Sequence, residues 1–271
     1  NYPQKSLKAC LAEYSCVLIT GASSGIGACI ARLLFNIHPK VRICNFSRSI
    51  PEVNLIQLGL KHIVCDLEKP HELEAAVEAF KAWRLQEGIT EGKCLLINNS
   101  GFGDIGLFPG QGLQMQLGMV DVNMRVPVHL TTLLLPLIVE TKGGIINVSS
   151  AAGFQPTPFL ATYGAAKAFM LHWSLALSVE LEDRGVRVMA LCPARTQSKF
   201  FERADPNGKR KNGGNYQGLP AEVVARTCLE SFAAGKLAVV PGFRNKLRTL
   251  FMGCLPRVWA VRVAWRALKR R

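Results

Sequence analysis

Three residues are spaced for moving a proton. Tyr163 and Lys167 stand four positions apart, so on a helix they share one face, and Ser150 precedes the tyrosine by thirteen positions. An ammonium held near a phenol favours the phenolate and lowers the phenol's pKa. A tyrosine tuned in this way can serve as general acid to a carbonyl oxygen or as general base to an alcohol. Ser150 closes the run Asn147-Val148-Ser149-Ser150, and its hydroxyl can donate to the same oxygen. Alone, a Tyr-x-x-x-Lys pair also describes an ordinary surface helix.

A second constellation lies upstream, Thr20-Gly21-Ala22-Ser23-Ser24-Gly25-Ile26-Gly27. It follows an apolar run and opens a helical pattern. The glycines permit a tight turn and close approach of a pyrophosphate, and the helix N-terminus offers free N–H groups with a favourable dipole. The spacing is G-x-x-x-G-x-G, not G-x-G-x-x-G, and an ordinary glycine-rich turn shares it. Ser, Tyr and Lys in order downstream of this loop are much harder to dismiss than either motif alone.

These residues need elements to position them, and the chain supplies an alternation. Strand-like runs fall at Cys16–Thr20, Val41–Phe46, Lys61–Cys65, Cys94–Asn98, Gly144–Val148, Arg187–Cys192 and Leu237–Val240. Helix-like runs fall at Gly25–Phe35, His71–Glu87, Gln114–Val139, Tyr163–Arg184 and Pro220–Ala234, the third kinked or broken by Pro127 and Pro136. The pattern predicts one doubly wound α/β domain with a parallel sheet and helices on both faces. Long loops follow the fourth, fifth and sixth strands (101–112, 151–162 and 193–219), at the carboxyl ends where such sheets bind ligands.

Composition narrows the class. With 271 residues, 49% of them hydrophobic, the chain can bury a sizeable core. Its nine cysteines form no C-x-x-C pair, and five fall in or beside strands, which suits a reducing compartment and no metal site. No apolar run reaches the roughly 18–20 residues of a membrane span, and Asn1 to Glu13 lacks a signal peptide's apolar core. A cytoplasmic location is the expectation, with peripheral membrane association left open. The net charge of +14 is concentrated: residues 244–271 carry nine cations and no acid, leaving +5 for the rest. Nucleic acid is therefore not an expected partner, since a binding face would spread the charge over the body.

From about Ser15 to Val240 the sequence resembles the short-chain dehydrogenase/reductase family. The resemblance rests on TGASSGIG, Asp66-Leu67 after the third strand, and Asn98-Asn99-Ser100-Gly101 after the fourth. Asn123 in V-N-M, Ser150, Tyr163-x-x-x-Lys167 and Cys192-Pro193 complete it. It implies a seven-stranded sheet in the order 3-2-1-4-5-6-7. It implies Tyr163 as acid/base, Lys167 holding the nicotinamide ribose and tuning the tyrosine, Ser150 orienting substrate and Asn123 holding a relay water. Gly21, Ser23, Ser24, Gly25, Ile26 and Gly27 would cradle the cofactor. Asp66 would meet the adenine amino group with Leu67 beside it, and Asn98 to Gly101 would line the cleft. Three departures occur, the first two being Ser100 where the family has alanine and Pro193-Ala194 in place of Pro-Gly. The family's nicotinamide-contacting threonine falls on Ser198, with Thr196 nearby.

Cofactor choice turns on Asn45-Phe46-Ser47-Arg48. No acid for a ribose 2′-OH occurs between Val41 and Pro51, whereas Arg48 suits a 2′-phosphate, so NADPH is expected over NADH. Arg48 also fits a solvated loop charge. Phe102, Phe108, Phe154, Phe159, Phe200 and Phe201 on the three loops suit an apolar carbonyl compound, or pack the loops themselves. The resemblance implies a homodimer or homotetramer, and the breadth of the apolar surface on Tyr163–Arg184 agrees.

The domain is placed at 1–243 and a basic extension at 244–271. In the extension Val258, Val261, Trp265 and Leu268 form an apolar stripe, with Arg262, Arg266, Lys269 and Arg270 on another face, although Trp259 and Val263 blur it. This fits a helix lying on an anionic membrane, one docked on its own domain or a partner subunit, or a solvated tail. The rival activities are an NAD(H)-dependent alcohol dehydrogenase of the same fold and a cofactor-binding regulator without turnover. The presence of both Tyr163 and Lys167 argues against the regulator.

Overall fold

The computed structural model describes residues 6–204 and 218–269. Residues 205–217 of the 193–219 loop, together with Arg270 and Arg271, lie outside the described residues, as do the side chains of Phe201, Leu268 and Lys269.

Among the described residues nine strands form: β1 (Tyr14–Thr20), β2 (Arg42–Ser47), β3 (Lys61–Val64), β4 (Lys93–Asn98), β5 (Gly144–Val148), β6 (Arg187–Leu191), β7 (Thr196–Gln197), β8 (Leu219–Pro220) and β9 (Ala238–Val239). Seven make one parallel sheet in the order β3-β2-β1-β4-β5-β6-β9. This is the expected order, with β9 as the seventh strand. The unexpected addition is a small parallel ladder of β7 on β8, which pins the start of the loop after β6 to its end.

The helices are α1 (Leu7–Leu11), α2 (Gly25–Ile37), α3 (Val53–Gln57), α4 (Pro70–Gln86), α5 (Leu113–Val120), α6 (Val126–Glu140), α7 (Ala161–Glu180), α8 (Phe200–Ala204), α9 (Ala221–Ala233), α10 (Phe243–Cys254) and α11 (Arg257–Lys269). Alternation along β1 divides the core. Val17 and Ile19 face a cluster with Leu34 of α2 and Phe232 of α9. Cys16 and Leu18 face Phe80 of α4 and Leu130 of α6 on the other side. Both faces are apolar because helices cover both. Each large side chain so buried stabilises the fold by about 1.5–3 kcal/mol.

The expected break in the third helix is present, but it is a single π-helical turn, Asp121–Arg125, between α5 and α6. Pro127 sits at the start of α6 directly after the π-helical turn, and Pro136 lies inside that helix. Contrary to the sequence expectation, the rod Leu113–Glu140 is long and apolar enough to cross a membrane by length and composition. Val126, Leu130, Leu134 and Ile138 bury its inner stripe against the sheet, as a core helix does.

The extension forms two helices. Thr249 and Met252 of α10, with Ala260 and Ala264 of α11, are buried. Trp265 stacks on Phe159 at 4.7 Å between ring centroids. The docked stripe therefore centres on Ala260 and Ala264, because small side chains let the helix approach closely. Val258, assigned to the stripe from sequence, is exposed.

Candidate active site

The glycine loop is tied to the strands on either side of it. Gly21 N donates to Phe46 O at 2.9 Å, and Ala22 N donates to Asn45 Oδ1 at 2.7 Å. Thr20 Oγ1 accepts from the N–H groups of Asn99 and Ser100, both at 3.0 Å. Gly21 and Gly25 take φ values of 73° and 60°, a region open to glycine at little cost. A β-carbon at Gly27 would lie 2.6 Å from Asn99 Nδ2 and 2.7 Å from Gly21 O. Helix α2 starts without a side-chain cap, so its first N–H groups are available. An uncapped helix start beneath a glycine cradle fits a pyrophosphate.

Helix α7 turns Tyr163 and Lys167 inward, and both are buried. Lys167 Nζ sits 5.7 Å from the Tyr163 ring centroid and donates to Val148 O at 2.9 Å. Ser149 Oγ donates to Lys167 O at 2.6 Å, which fixes the helix against the end of β5. Ser150 Oγ accepts from Ala152 N at 3.1 Å and donates to Pro193 O at 3.3 Å. The Tyr163 ring lies against Phe200, their centroids 5.3 Å apart.

Burial governs the titration of this pair. It pushes the Tyr163 phenol up to about 12, with the Ser150 hydrogen bond opposing. It pulls the Lys167 ammonium down to about 8, and the nearby Cys192 thiol opposes. The expected lowering of the tyrosine pKa is thus not what this geometry produces. Lys167 is itself desolvated and spends a proton on the Val148 carbonyl, so burial of the phenol outweighs its attraction.

Asn123 occupies the π-helical turn. Its Nδ2 donates to Phe102 O and Met119 O, each at 2.9 Å. Its Oδ1 is buried without a partner, which fits the expected role as a water acceptor. The extra residue of a π turn re-aims one side chain, and such turns recur at functional sites.

These parts surround a cavity of about 860 Å³. Gly21, Ser23, Ser24, Gly25 and Ile26 form one wall, and Arg48, Asp66 and Leu67 another. Asn99, Ser100 and Gly101 lie between them, and Ser150, Tyr163 and Lys167 stand opposite. Pro193, Ala194, Thr196 and Ser198 close the far side. Three expected residues are off the wall. Gly27 packs behind the cradle. Asn123 meets the cavity only past Gly101. Asn98 is buried, donating to Asn147 Oδ1 at 2.8 Å, and Asn147 donates to Ser174 Oγ at 2.9 Å. Asn98 therefore braces β4 against β5 from beneath instead of lining the cleft.

Sequence reasoning missed Asn45, although an amide within an apolar strand signals a buried polar partner. It also missed that Asn245, Arg248, Thr249 and Ala264 of the extension line the cavity.

A sequence profile described as short chain dehydrogenase matches residues 15–208. The chain belongs to the short-chain dehydrogenase family. It is 29% identical over 240 residues to the uncharacterized oxidoreductase DltE of Bacillus subtilis, covering 86% of this chain and 91% of the relative. It is 34% identical over 205 residues to hydroxysteroid dehydrogenase-like protein 1 of Gallus gallus, covering 71% of this chain and 59% of that one. Among solved structures it resembles a short-chain dehydrogenase from Sphingobium yanoikuyae in complex with NADPH. That match has a TM-score of 0.71 and 28% identity, covering 89% of this chain and 96% of the other. As a short-chain dehydrogenase the chain is an NAD(P)-dependent oxidoreductase acting between alcohol and carbonyl.

Proposed function

We propose that this short-chain dehydrogenase uses NADPH to reduce an apolar ketone or aldehyde to an alcohol. The observation that carries the reading is the set of Ser150 with the buried Tyr163 and Lys167, which opens on the same cavity as the uncapped glycine cradle. NADPH supplies a hydride at its nicotinamide. Tyr163 stays a phenol throughout the neutral range, so it stands ready to donate its proton to the carbonyl oxygen. Ser150 holds that oxygen by a hydrogen bond. Lys167 binds ribose hydroxyls and supplies positive charge as the oxygen gains electron density. The unpartnered Asn123 Oδ1 holds the water that returns a proton toward Lys167.

The NADPH preference is supported by Arg48 on the cavity wall and by the absence of acids from 41 to 51. Phe102, Met115, Val122 and Leu160 among the lining residues support an apolar substrate. We further propose a homodimer or homotetramer through the outer faces of α5 to α7, where Leu117, Val120, Val128 and Val179 are exposed. All nine cysteines are free, which supports a reducing, cytoplasmic setting. Peripheral contact with anionic membrane through residues 244–271 belongs to the same reading. Its support is the exposed Phe243, Leu247, Leu250, Phe251 and Trp259 among cations that no acid offsets.

The test is NADPH oxidation measured over ketones, acyl chains and steroids, with Tyr163→Phe as control. The reading expects turnover of at least one class, and Tyr163→Phe should reduce it by about two to four decades while leaving NADPH binding nearly intact. Near wild-type turnover in the variant would overturn the catalytic assignment.

A further inference from the structure

The substrate mouth is cationic. Lys199 just before α8, Arg203 in its last turn and Arg248 of α10 all line the cavity. Among the described residues none of the three makes an ion pair, and all three are exposed. Their placement relative to the chemistry follows from α8. Phe200 packs on Tyr163, and Ala204 O accepts from Ile105 N at 2.9 Å, which fixes the helix over the tyrosine. Lys199 and Arg203 flank Phe200 along the chain, and both line the cavity that Tyr163 lines.

Three acids also line the cavity. Asp66 and Glu68 belong to the wall after β3, where Glu68 lies 4.0 Å from Arg48. Asp104, in the loop bonded to α8, is the third, and the mouth cations outnumber it. Phe200, Leu160 and Ala264 add apolar lining to the same cavity. Cations from two separate elements on a cavity with apolar lining suit a molecule with an acidic end and an apolar body.

We propose that the substrate is a carbonyl compound bearing a carboxylate or phosphate several atoms from the carbonyl, held at its acidic end by Arg203 and Arg248 with Lys199. This rests on the carbonyl reductase reading and adds the charge class of the substrate.

The test pairs binding with turnover. A medium-chain keto acid, its methyl ester and its coenzyme A thioester are titrated calorimetrically into NADP+-saturated enzyme. Each is then assayed as a substrate with NADPH. The free acid or the thioester should bind about tenfold or more tightly relative to the ester, and added salt should shrink the margin. A preference for the free acid marks a carboxylate as the anchored group, and one for the thioester marks a phosphate. In Arg203→Ala and Arg248→Ala that ratio should fall toward one, through KM and not kcat.

Equal binding of acid, thioester and ester overturns the proposal even if all are reduced. So does a ratio untouched by both variants. A loss of NADPH affinity that depresses all three ligands alike would assign these cations to the cofactor's phosphates and likewise overturn it. If the binding preference is present but none of the three is reduced, the reductase reading fails while the anionic site stands.

Discussion

Asn123 Oδ1 and Lys167 Nζ close on one point above Gly101: a β-carbon there would lie 2.5 Å from the first and 3.1 Å from the second. The amide comes from the π-helical turn and the ammonium from α7, so the absence of a side chain at Gly101 lets two distant elements converge. Gly101→Ala should push them apart. Overpacking of this kind costs about 1–3 kcal/mol, and proton delivery should suffer more than stability does. The expected result is a kcat lower by about tenfold or more with a modest drop in Tm. Unchanged kcat would mean that Asn123 and Lys167 do not act together.

The pH dependence follows from burial. Lys167, lowered to about 8, is charged below that value and loses its charge as pH rises through it. Tyr163, raised to about 12, keeps its proton across the same window. With the ammonium required, kcat/KM for reduction should be level below pH ~7 and fall about tenfold per unit above pH ~8. The check is a pH–rate profile at fixed ionic strength. A level profile between about pH 7 and 9.5 would mean that the lysine's charge is not needed.

Arg48 should carry most of the discrimination between the two nicotinamide cofactors. Its side chain is 67% exposed and reaches Glu68 only at 4.0 Å, so little opposes its turning to a 2′-phosphate. A charge-assisted contact of this kind is worth roughly 1.5–3 kcal/mol, about one to two decades in affinity. Arg48→Ala should erase most of the NADPH preference measured by fluorescence titration, and Glu68→Gln should widen it. Equal affinities for NADPH and NADH in the unmutated enzyme would refute the assignment.

What was legible in the sequence follows a physical rule. The strands, the glycine cradle and the Tyr163-x-x-x-Lys167 pair were readable because apolar runs and residue spacing each report a local constraint, whereas the strand order came through the family resemblance. The titration of Tyr163 was not, since it depends on how deeply both groups of the pair are buried. Asn98 carried a motif position, yet its amide turned inward to Asn147, a choice that only the packing of β4 on β5 makes. The extension stayed open between membrane-bound, docked and solvated readings, because a cation-rich helix with an apolar stripe fits all three. Ala260 and Ala264 give it a narrow docking stripe, while Arg244, Lys246, Arg257, Arg262 and Arg266 stay exposed.

Oligomerisation should bury the outer surface of α7. Phe169 and Trp173 stack there at 6.0 Å and are half-buried, while Val179 stands 68% exposed. Exposed apolar side chains on this helix, with Leu117 and Val120 exposed on α5, mark an association site. Light scattering at micromolar concentration should give at least twice the 29.7 kDa chain mass, and Val179→Lys should weaken association. A monomer under those conditions would refute it.

The extension supports a membrane test that leaves the active site intact. Removing residues beyond 242 would strip Arg248, Thr249 and Ala264 from the cavity wall, so a truncation confounds binding with damage. Point changes on the outer face avoid this. Phe251 and Trp259 are 62% and 66% exposed and touch neither the cavity nor the buried stripe. Each cation near an anionic surface contributes about 1 kcal/mol, and the attraction weakens with salt over a screening length of about 10 Å at 0.1 M. The apolar side chains add burial that salt does not screen. The full chain should therefore co-sediment with vesicles rich in anionic lipid, partly resist salt, and ignore neutral vesicles. Phe251→Glu with Trp259→Glu should abolish the salt-resistant part while leaving thermal unfolding unchanged, since both positions already face water. If the unmutated enzyme stays in the supernatant, or the double variant sediments equally well, the outer face of α10 and α11 does not meet lipid.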